Sequence, residues 1–328
     1  MGATTTEAIV LRQPGGPEAL MLEQVELPAP QPGELLLRHT AVGVNFHDCY
    51  VRSGLYKTLA LPGTPGVEAC GVVEAVGEGV DGFAPGDRVA YATQRYGAYA
   101  RRRCLPADEA VKLPDGIGDR LAASLMVKGL TAAVLLHEVH RVGPGTVVVV
   151  HAAAGGVGRL LGQWAAHLRA QVIGTVGSER KQAIATANGC RHVVNYASAD
   201  FATEVMRLTG GRGAEVVYDS VGRDTFLRSL QCLAPRGHLV NFGQSSGPVE
   251  PFAPALLSAG SYSVTRPVLF HYIAGRARLA ACAGLVFDAV ARGIIRVDDI
   301  VTYPLANAAE AHRDLEARRL TGSPVLLP

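Results

Sequence analysis

The residues with the clearest chemical meaning lie between Val147 and His167, in VVVVHAAAGGVGRLLGQWAAH. Ala152, Gly155 and Gly158 stand there at three-residue intervals. Before them come four valines, and after them apolar residues at helical spacing: Leu160, Leu161, Trp164, Ala165 and Leu168. Strand, tight turn and helix form the context in which such spacing binds a nucleotide. Glycine lets the backbone approach a pyrophosphate, and the last glycine lets helix and strand pack closely. The open N–H groups and the positive end of the helix dipole then meet the phosphates. The first position is alanine, not the usual glycine, and similar turns also join strands to helices without any ligand. A second apolar strand, Gln171 to Val176, ends in Gly-Ser-Glu-Arg-Lys, and its continuation of the pattern favours the nucleotide.

Thiol and metal chemistry find little support. The cysteines Cys49, Cys70, Cys104, Cys190, Cys232 and Cys282 are scattered, with no C-x-x-C pair. That argues against a disulfide framework and against a structural zinc cluster. They read as small buried hydrophobes of a reducing cytosol. His47-Asp48-Cys49 is a tempting metal cluster, but adjacent residues rarely converge on one ion. A net charge of +2 demands neither nucleic acid nor an anionic membrane. Arg101-Arg102-Arg103 reads as a solvated strand end. No apolar run is expected to span a bilayer. The N-terminus lacks a basic region followed by an apolar core, so no secretory signal is expected. Gly2 matches a myristoylation pattern only loosely, and no polybasic signal accompanies it.

The 328 residues suggest two domains, and an apolar fraction of 48% is ample for two cores. Up to about residue 128 the rhythm is that of short strands: Ala8–Leu11, Leu35–Val44, Cys70–Val76, Arg88–Ala92 and Ala98–Ala100. Turn signals such as Pro85-Gly86-Asp87 separate them, which predicts a compact barrel. Phe46–Ser53 reads as a helical interruption. From about Gly129 strands alternate with helices. Strands are predicted at Val147–Val150, Val172–Val176, His192–Asn195, Glu215–Tyr218, His238–Phe242 and Tyr262–Thr265, and helices at Phe201–Leu208 and Thr225–Leu233. Six strands with crossovers predict a doubly wound parallel α/β sheet. An amphipathic Ile273–Ala291, a strand Val301–Leu305, a helix Ala308–Arg319 and a run Val325–Leu327 then return to the first domain. The expected domains are residues 1–128, 129–267 and the returning 268–328.

Several motifs carry a resemblance that spans nearly the whole chain. They are Gly43-Val-Asn-Phe-x-Asp48, Arg52-Ser-Gly-Leu-Tyr56, Pro65-Gly-x-Glu68-x-x-Gly71, Pro85-Gly-Asp-Arg-Val89, Lys128-Gly-Leu-Thr131, His151-Ala-Ala-Ala-Gly-Gly-Val-Gly158, Tyr218-Asp-Ser-Val-Gly222 and Val264-Thr-Arg-Pro267. In these the chain resembles the zinc-free medium-chain dehydrogenases/reductases of the zeta-crystallin-like quinone oxidoreductase group. The resemblance implies a GroES-like barrel and a Rossmann domain, with NADPH bound in the cleft between them. In the zinc-dependent relatives a cysteine stands three residues before the motif aspartate and a histidine precedes the glutamate. Here Asn45 and Val67 occupy those positions, so no metal site is expected.

Without a metal, a carbonyl must be polarised by hydrogen-bond donors. Quinones accept hydride readily, so orientation is expected to matter more than acid–base residues. The resemblance implies that Asn45, Tyr50, Tyr56 and Thr131 face the nicotinamide and the substrate. The tyrosines offer flat faces and hydroxyl donors. His47 stands where zinc alcohol dehydrogenases carry a proton-relay hydroxyl, although the family does not require a histidine there. For the cofactor the resemblance implies Gly155, Gly156 and Val157 at the pyrophosphate and Gly177, Ser178 and Lys181 at the adenosine ribose. Tyr196 is expected against the adenine, and Phe242, Gln244 and Ser245 after the fifth strand. Arg266 ends the sixth strand, either at the ligand or in an interdomain salt bridge.

An NAD-specific site places a carboxylate at the end of the second strand. Here that strand ends in Gly177-Ser178, which favours NADPH. The expected activity is NADPH-dependent quinone reduction in the cytoplasm by a homodimer, with no nucleic-acid or membrane partner. An enone or alkene reductase would use the same cleft and hydride, and the sequence does not separate the two. A zinc alcohol dehydrogenase and a non-catalytic crystallin or RNA-binding protein fit less well.

Overall fold

The computed structural model describes residues 4–328. The Gly2 pattern therefore lies outside the described residues. The chain divides into two compact units, one of Met1–Leu130, Ile273–Ala291 and Val297–Pro328, the other of Thr131–Tyr272 and Arg292–Arg296.

The first unit opens with strands β1 (Thr4–Leu11), β2 (Leu20–Leu27) and β3 (Glu34–Gly43), followed by helix α1 (Phe46–Arg52). Strands β4 (Glu68–Val76), β5 (Arg88–Ala92), β6 (Arg102–Pro106) and β7 (Ala110–Lys112) come next, then helix α2 (Asp119–Val134). β1 and β2 pair as an antiparallel ribbon. β3 is the spine of the larger sheet and pairs antiparallel with both β4 and β6. Its sequence, ELLLRHTAVG, buries Leu35, Leu37, His39 and Ala41, the period of two that a half-buried strand requires. Those leucines join Ile9, Tyr91, Tyr99 and Leu105 in one apolar core.

The expected strand at Ala98–Ala100 does not form. Only a single bridge, Ala8 to Ala100, is made there. Gly97 has φ +120, and the Tyr99 N–H turns to the Pro65 carbonyl, so the segment cannot enter a ladder. The arginine cluster after it is no mere strand end. Arg101 pairs with Glu7, Arg102 opens β6 and pairs with Glu74, and Arg103 lies over the Tyr91 ring.

The second unit carries β8 (Val147–Val150), α3 (Gly156–His167), β9 (Gln171–Val176), α4 (Glu179–Ala187), β10 (His192–Asn195) and α5 (Phe201–Leu208). It continues through β11 (Ala214–Asp219), α6 (Phe226–Ser229), β12 (Leu233–Asn241), β13 (Ser263–Thr265) and α7 (Leu269–Tyr272). The sheet has six strands in the order β10-β9-β8-β11-β12-β13, all parallel. This is the doubly wound order whose ligands bind beyond the carboxyl ends of the strands. The β8 valines are all buried, as a central strand covered on both faces demands.

The chain closes with α8 (Arg276–Ala291), β14 (Ile300–Pro304), α9 (Ala308–Glu316) and β15 (Ser323–Leu327). β14 and β15 are parallel to each other, and β15 pairs with β3, which completes the sheet of the first unit. One expectation is corrected here. Asp119–Val139 is long and apolar enough, by length and composition, to cross a bilayer, its most apolar window of 18 residues having a mean hydropathy of 1.4. However, 72% of its most apolar window is buried in the fold, as in a core helix. Lys128 in its middle and Asp119, Arg120 and Glu138 towards its ends break the run of apolar residues in the sequence.

Candidate functional site

In the first unit the candidate residues gather on and after α1. Asn45 precedes the helix in extended backbone, and its N–H donates to the Asp48 carboxylate at 2.8 Å, the carboxylate half of a capping box. The Asn45 side-chain amide donates to Glu68 at 2.6 Å. Glu68 is fully buried and also accepts from the Val127 N–H at 2.6 Å, with the Lys128 ammonium 3.5 Å away. A Cβ on Gly43 would collide with this carboxylate and with the Ala123 carbonyl, so only glycine lets β3 pass. Sequence reasoning quoted Glu68 within a motif but gave it no role.

Asp48 is buried. Its second oxygen, Oδ1, has no hydrogen-bond partner. Desolvation pushes its carboxyl up to about 7, against the Asn45 N–H, which favours the charged form. From Asp48 a polar chain runs outward within the unit. The Tyr99 hydroxyl lies 3.2 Å from Asp48 Oδ2 and 2.9 Å from His312 Nε2, Arg52 lies 3.3 Å from His312 Nδ1, and Arg52 holds Glu316 bidentately. Burial and the nearby Arg52 keep His312 neutral, with its pKa lowered to about 3.

Tyr50 and Tyr56 meet edge to face, 5.2 Å between centroids. His47 packs edge-on to Tyr56 at 5.5 Å and stacks on Tyr96 at 5.9 Å. His47 Nε2 lies 3.0 Å from the Tyr96 hydroxyl, which lies 2.6 Å from Thr58 Oγ1. Burial lowers the His47 pKa to about 4, so the ring is neutral at ordinary pH. Tyr96 and Thr58 were absent from the sequence reading. They lie in irregular segments far from His47 in the chain, where no periodicity could flag them.

In the second unit the candidate residues line the carboxyl edge of the parallel sheet. Gly155 and Gly156 are exposed at the start of α3. The Gly155 N–H is committed to the Ala152 carbonyl at 2.8 Å, so the N–H groups of the first turn of α3, from Gly156 and Val157 onward, are the ones without a helical partner. A Cβ on Gly158 would run into Ala152. Beneath the turn, His151 is wholly buried, with Nδ1 2.7 Å from Thr175 Oγ1 and Nε2 2.9 Å from Ser229 Oγ. It ties β8 to β9 and α6, another role that sequence reading missed.

Gly177 and Ser178 follow β9, and Ser178 precedes α4, whose first turn carries Lys181. Tyr196 lies so close over Gly177 that a Cβ there would meet its hydroxyl at 2.7 Å. The adjacent carboxylate, Glu179, is exposed. At the end of β11, Asp219 Oδ1 accepts from the N–H of Val221 at 2.7 Å, the N–H of Gly222 at 3.1 Å and the hydroxyl of Thr225 at 2.8 Å. Asn241 donates to Asp219 and to the Gly243 carbonyl, which sets the loop bearing Phe242, Gln244 and Ser245. Arg266 is exposed and donates to the Asn241 side chain and to the Gly243 carbonyl. Thr131 is half-buried on α2. Among the described residues no three His, Cys, Asp or Glu side chains converge as a metal site would need, and the six cysteines are free thiols.

Two family models match the chain: alcohol dehydrogenase GroES-like domain over residues 31–115, and zinc-binding dehydrogenase over residues 156–278. Quinone oxidoreductase of Pseudomonas aeruginosa is 46% identical over 315 residues, 96% of this chain and 97% of that protein. 2-Haloacrylate reductase of a Burkholderia species is 44% identical over 328 residues, 98% of each. The crystal structure of Escherichia coli quinone oxidoreductase complexed with NADPH superimposes with a TM-score of 0.95 at 42% identity, covering 98% of this chain and all of that one. Fold, strand order and near full-length identity agree, and the chain belongs to the medium-chain dehydrogenase/reductase family, in its quinone oxidoreductase branch.

Proposed function

We propose that the protein is an NADPH-dependent quinone reductase. The observation that carries the choice of acceptor is the aromatic cluster of His47, Tyr50, Tyr56 and Tyr96. Its faces suit a flat, uncharged ring. Its one basic member, His47, is held neutral and offers no counter-charge to an anionic acceptor. Relatives named quinone oxidoreductase, at 43–46% identity, support the same reading.

The residues at the sheet edge fit the cofactor. The open first turn of α3 suits a pyrophosphate. The end of β9, with Gly177 and Ser178 and Lys181 on the next turn, suits a 2′-phosphate where an NAD site would place a carboxylate. When bound, NADPH supplies the hydride. Gly156 and Val157 hold phosphate, Ser178 and Lys181 read the 2′-phosphate, and Tyr196 covers the adenine. Phe242, Gln244, Ser245 and Arg266 line the nicotinamide end. Asn45 and Thr131 orient the nicotinamide and the acceptor, while Tyr50 and Tyr56 exclude water around the acceptor ring. The residues at the zinc-ligand positions of zinc relatives do not suit a zinc ion, since Asn45 is bonded to Glu68 and Val67 is apolar and buried. We also propose a cytoplasmic homodimer joined through the edge strand β13.

A second reading, reduction of an activated alkene, is favoured by the 44% identity to 2-haloacrylate reductase. A panel of quinones, neutral enones and haloacrylates, followed by NADPH consumption, separates the two. Turnover of quinones well above all others is expected. Haloacrylate turnover above quinone turnover would reverse the assignment.

A further inference from the structure

Among the described residues, the His47 ring makes a single hydrogen bond, through Nε2 to Tyr96. No hydrogen bond is made by its Nδ1 among the described residues, and the ring as a whole is half-buried. Thr58, at the far end of the chain of contacts, is exposed. A line of hydroxyl, phenol and imidazole thus runs from the exposed Thr58 to the His47 ring, which lies beside Tyr56, in steps of 2.6 and 3.0 Å. The partner of one imidazole nitrogen decides which nitrogen carries the proton. When Thr58 donates to the Tyr96 oxygen, the Tyr96 proton points at His47 Nε2, and the imidazole proton is left on Nδ1.

We propose that His47, set in its Nδ1–H tautomer by Tyr96 and Thr58, donates a hydrogen bond to the acceptor carbonyl and then passes it the proton that completes reduction. The proposal rests on the quinone reductase reading. NADPH, when bound, would supply a hydride from its C4–H bond to one quinone oxygen, leaving oxidised nicotinamide, and the ring electrons would collect on the other carbonyl oxygen, the one facing His47. The Nδ1–H bond breaks as the new O–H bond forms. The Tyr96 proton moves to Nε2, the Thr58 proton to the Tyr96 oxygen, and a proton from water to Thr58. Hydride and proton together convert quinone to hydroquinone, and no group in the line gains lasting charge.

The line suits neutral transfer. Desolvation lowers the His47 pKa to about 4 and raises that of Tyr96, which also faces Asp48 and Tyr56. Neither imidazolium nor phenolate is therefore populated near pH 7, and the proton moves by tautomer exchange.

Nitrogen-15 NMR of histidine-labelled enzyme without cofactor reads the tautomer directly. Wild type should show His47, assigned by its loss in His47→Gln, as Nδ1–H and uncharged down to about pH 5. Tyr96→Phe, which keeps the stacked ring, should give mixed tautomers. An Nε2–H signal in wild type, or no change in Tyr96→Phe, overturns the proposal. In turnover, Tyr96→Phe should lower kcat for quinone about 10-fold or more, with unchanged NADPH affinity. Thr58→Val, at an exposed position that folding tolerates, should lower kcat in the same sense and alter the solvent isotope effect. Unchanged kcat in both variants overturns the transfer step. Absence of quinone turnover in wild type would count against the functional reading, while the tautomer measurement would still judge the line itself.

Discussion

Glu68 and Asn45 form a buried carboxylate–amide pair at 2.6 Å, and the Glu68 carboxylate is also the partner of the Lys128 ammonium at 3.5 Å. Removing it with Glu68→Ala strands an ammonium left, among the described residues, with the Val44 carbonyl at 3.3 Å. Loss of one partner of a buried pair costs about 3–5 kcal/mol. Urea unfolding should show that loss, and a companion Lys128→Met in the Glu68→Ala background should recover part of it.

Asp48 predicts a pH dependence of stability. Its carboxyl titrates near 7 in the folded protein and at 3.8 ordinarily. Between those values the folded state holds a proton that the unfolded state has released. Its contribution is therefore complete below about pH 4 and is lost as pH rises through about 7. The difference is at most on the order of 4 kcal/mol. Unfolding free energies at acid and neutral pH should diverge less in Asp48→Asn than in wild type.

Lys181 tests the cofactor reading. A charge-assisted contact with a 2′-phosphate is worth ~1.5–3 kcal/mol, so Lys181→Ala should weaken NADPH by roughly 10- to 100-fold. NADH should hardly change. Dissociation constants of both cofactors for both proteins provide the check, and equal losses would remove Lys181 from phosphate recognition.

Metal removal should leave turnover intact. Asn45 and Val67 supply neither thiolate nor imidazole. Elemental analysis of purified enzyme should give well under one zinc per chain, and chelator treatment should not lower the rate. Chelator-sensitive activity with stoichiometric zinc would contradict this.

Strand β13 ends the sheet, pairing with β12 on one side, and its other edge is unpaired among the described residues. An open edge invites pairing with a second chain. Light scattering at micromolar concentration should give twice the 34.4 kDa chain mass.

Much of the fold was legible because it obeys local rules. The valines of β8, the strand Arg88–Ala92 and the helix Phe201–Leu208 appear at their expected bounds, since burial there follows an unbroken apolar pattern. β2 was missed because its surface is largely solvated and its charged residues blur the alternation. β6 was missed because arginines open it, and those arginines are neutralised by Glu74 and the Tyr91 ring, partners remote in sequence. The proposed site divides in the same way. The glycine turn and the ends of β8 and β9 announced themselves by spacing. Tyr96, Thr58, Asp219 and the bond from Asn45 to Glu68 depend on chain segments brought together only by folding.

Ala152 occupies the left-handed region at φ +50, where a side chain costs about 1–3 kcal/mol unless its surroundings impose it. The Gly155 N–H on its carbonyl and the close passage of Gly158 impose it. A glycine at that place would let the turn sample many shapes, and a ligand would have to select one. Alanine removes most of those shapes while the chain is still folding. The entropy of ordering this turn is thus lost once, at folding, and cofactor phosphates bound there, as proposed above, would meet a loop already preorganised.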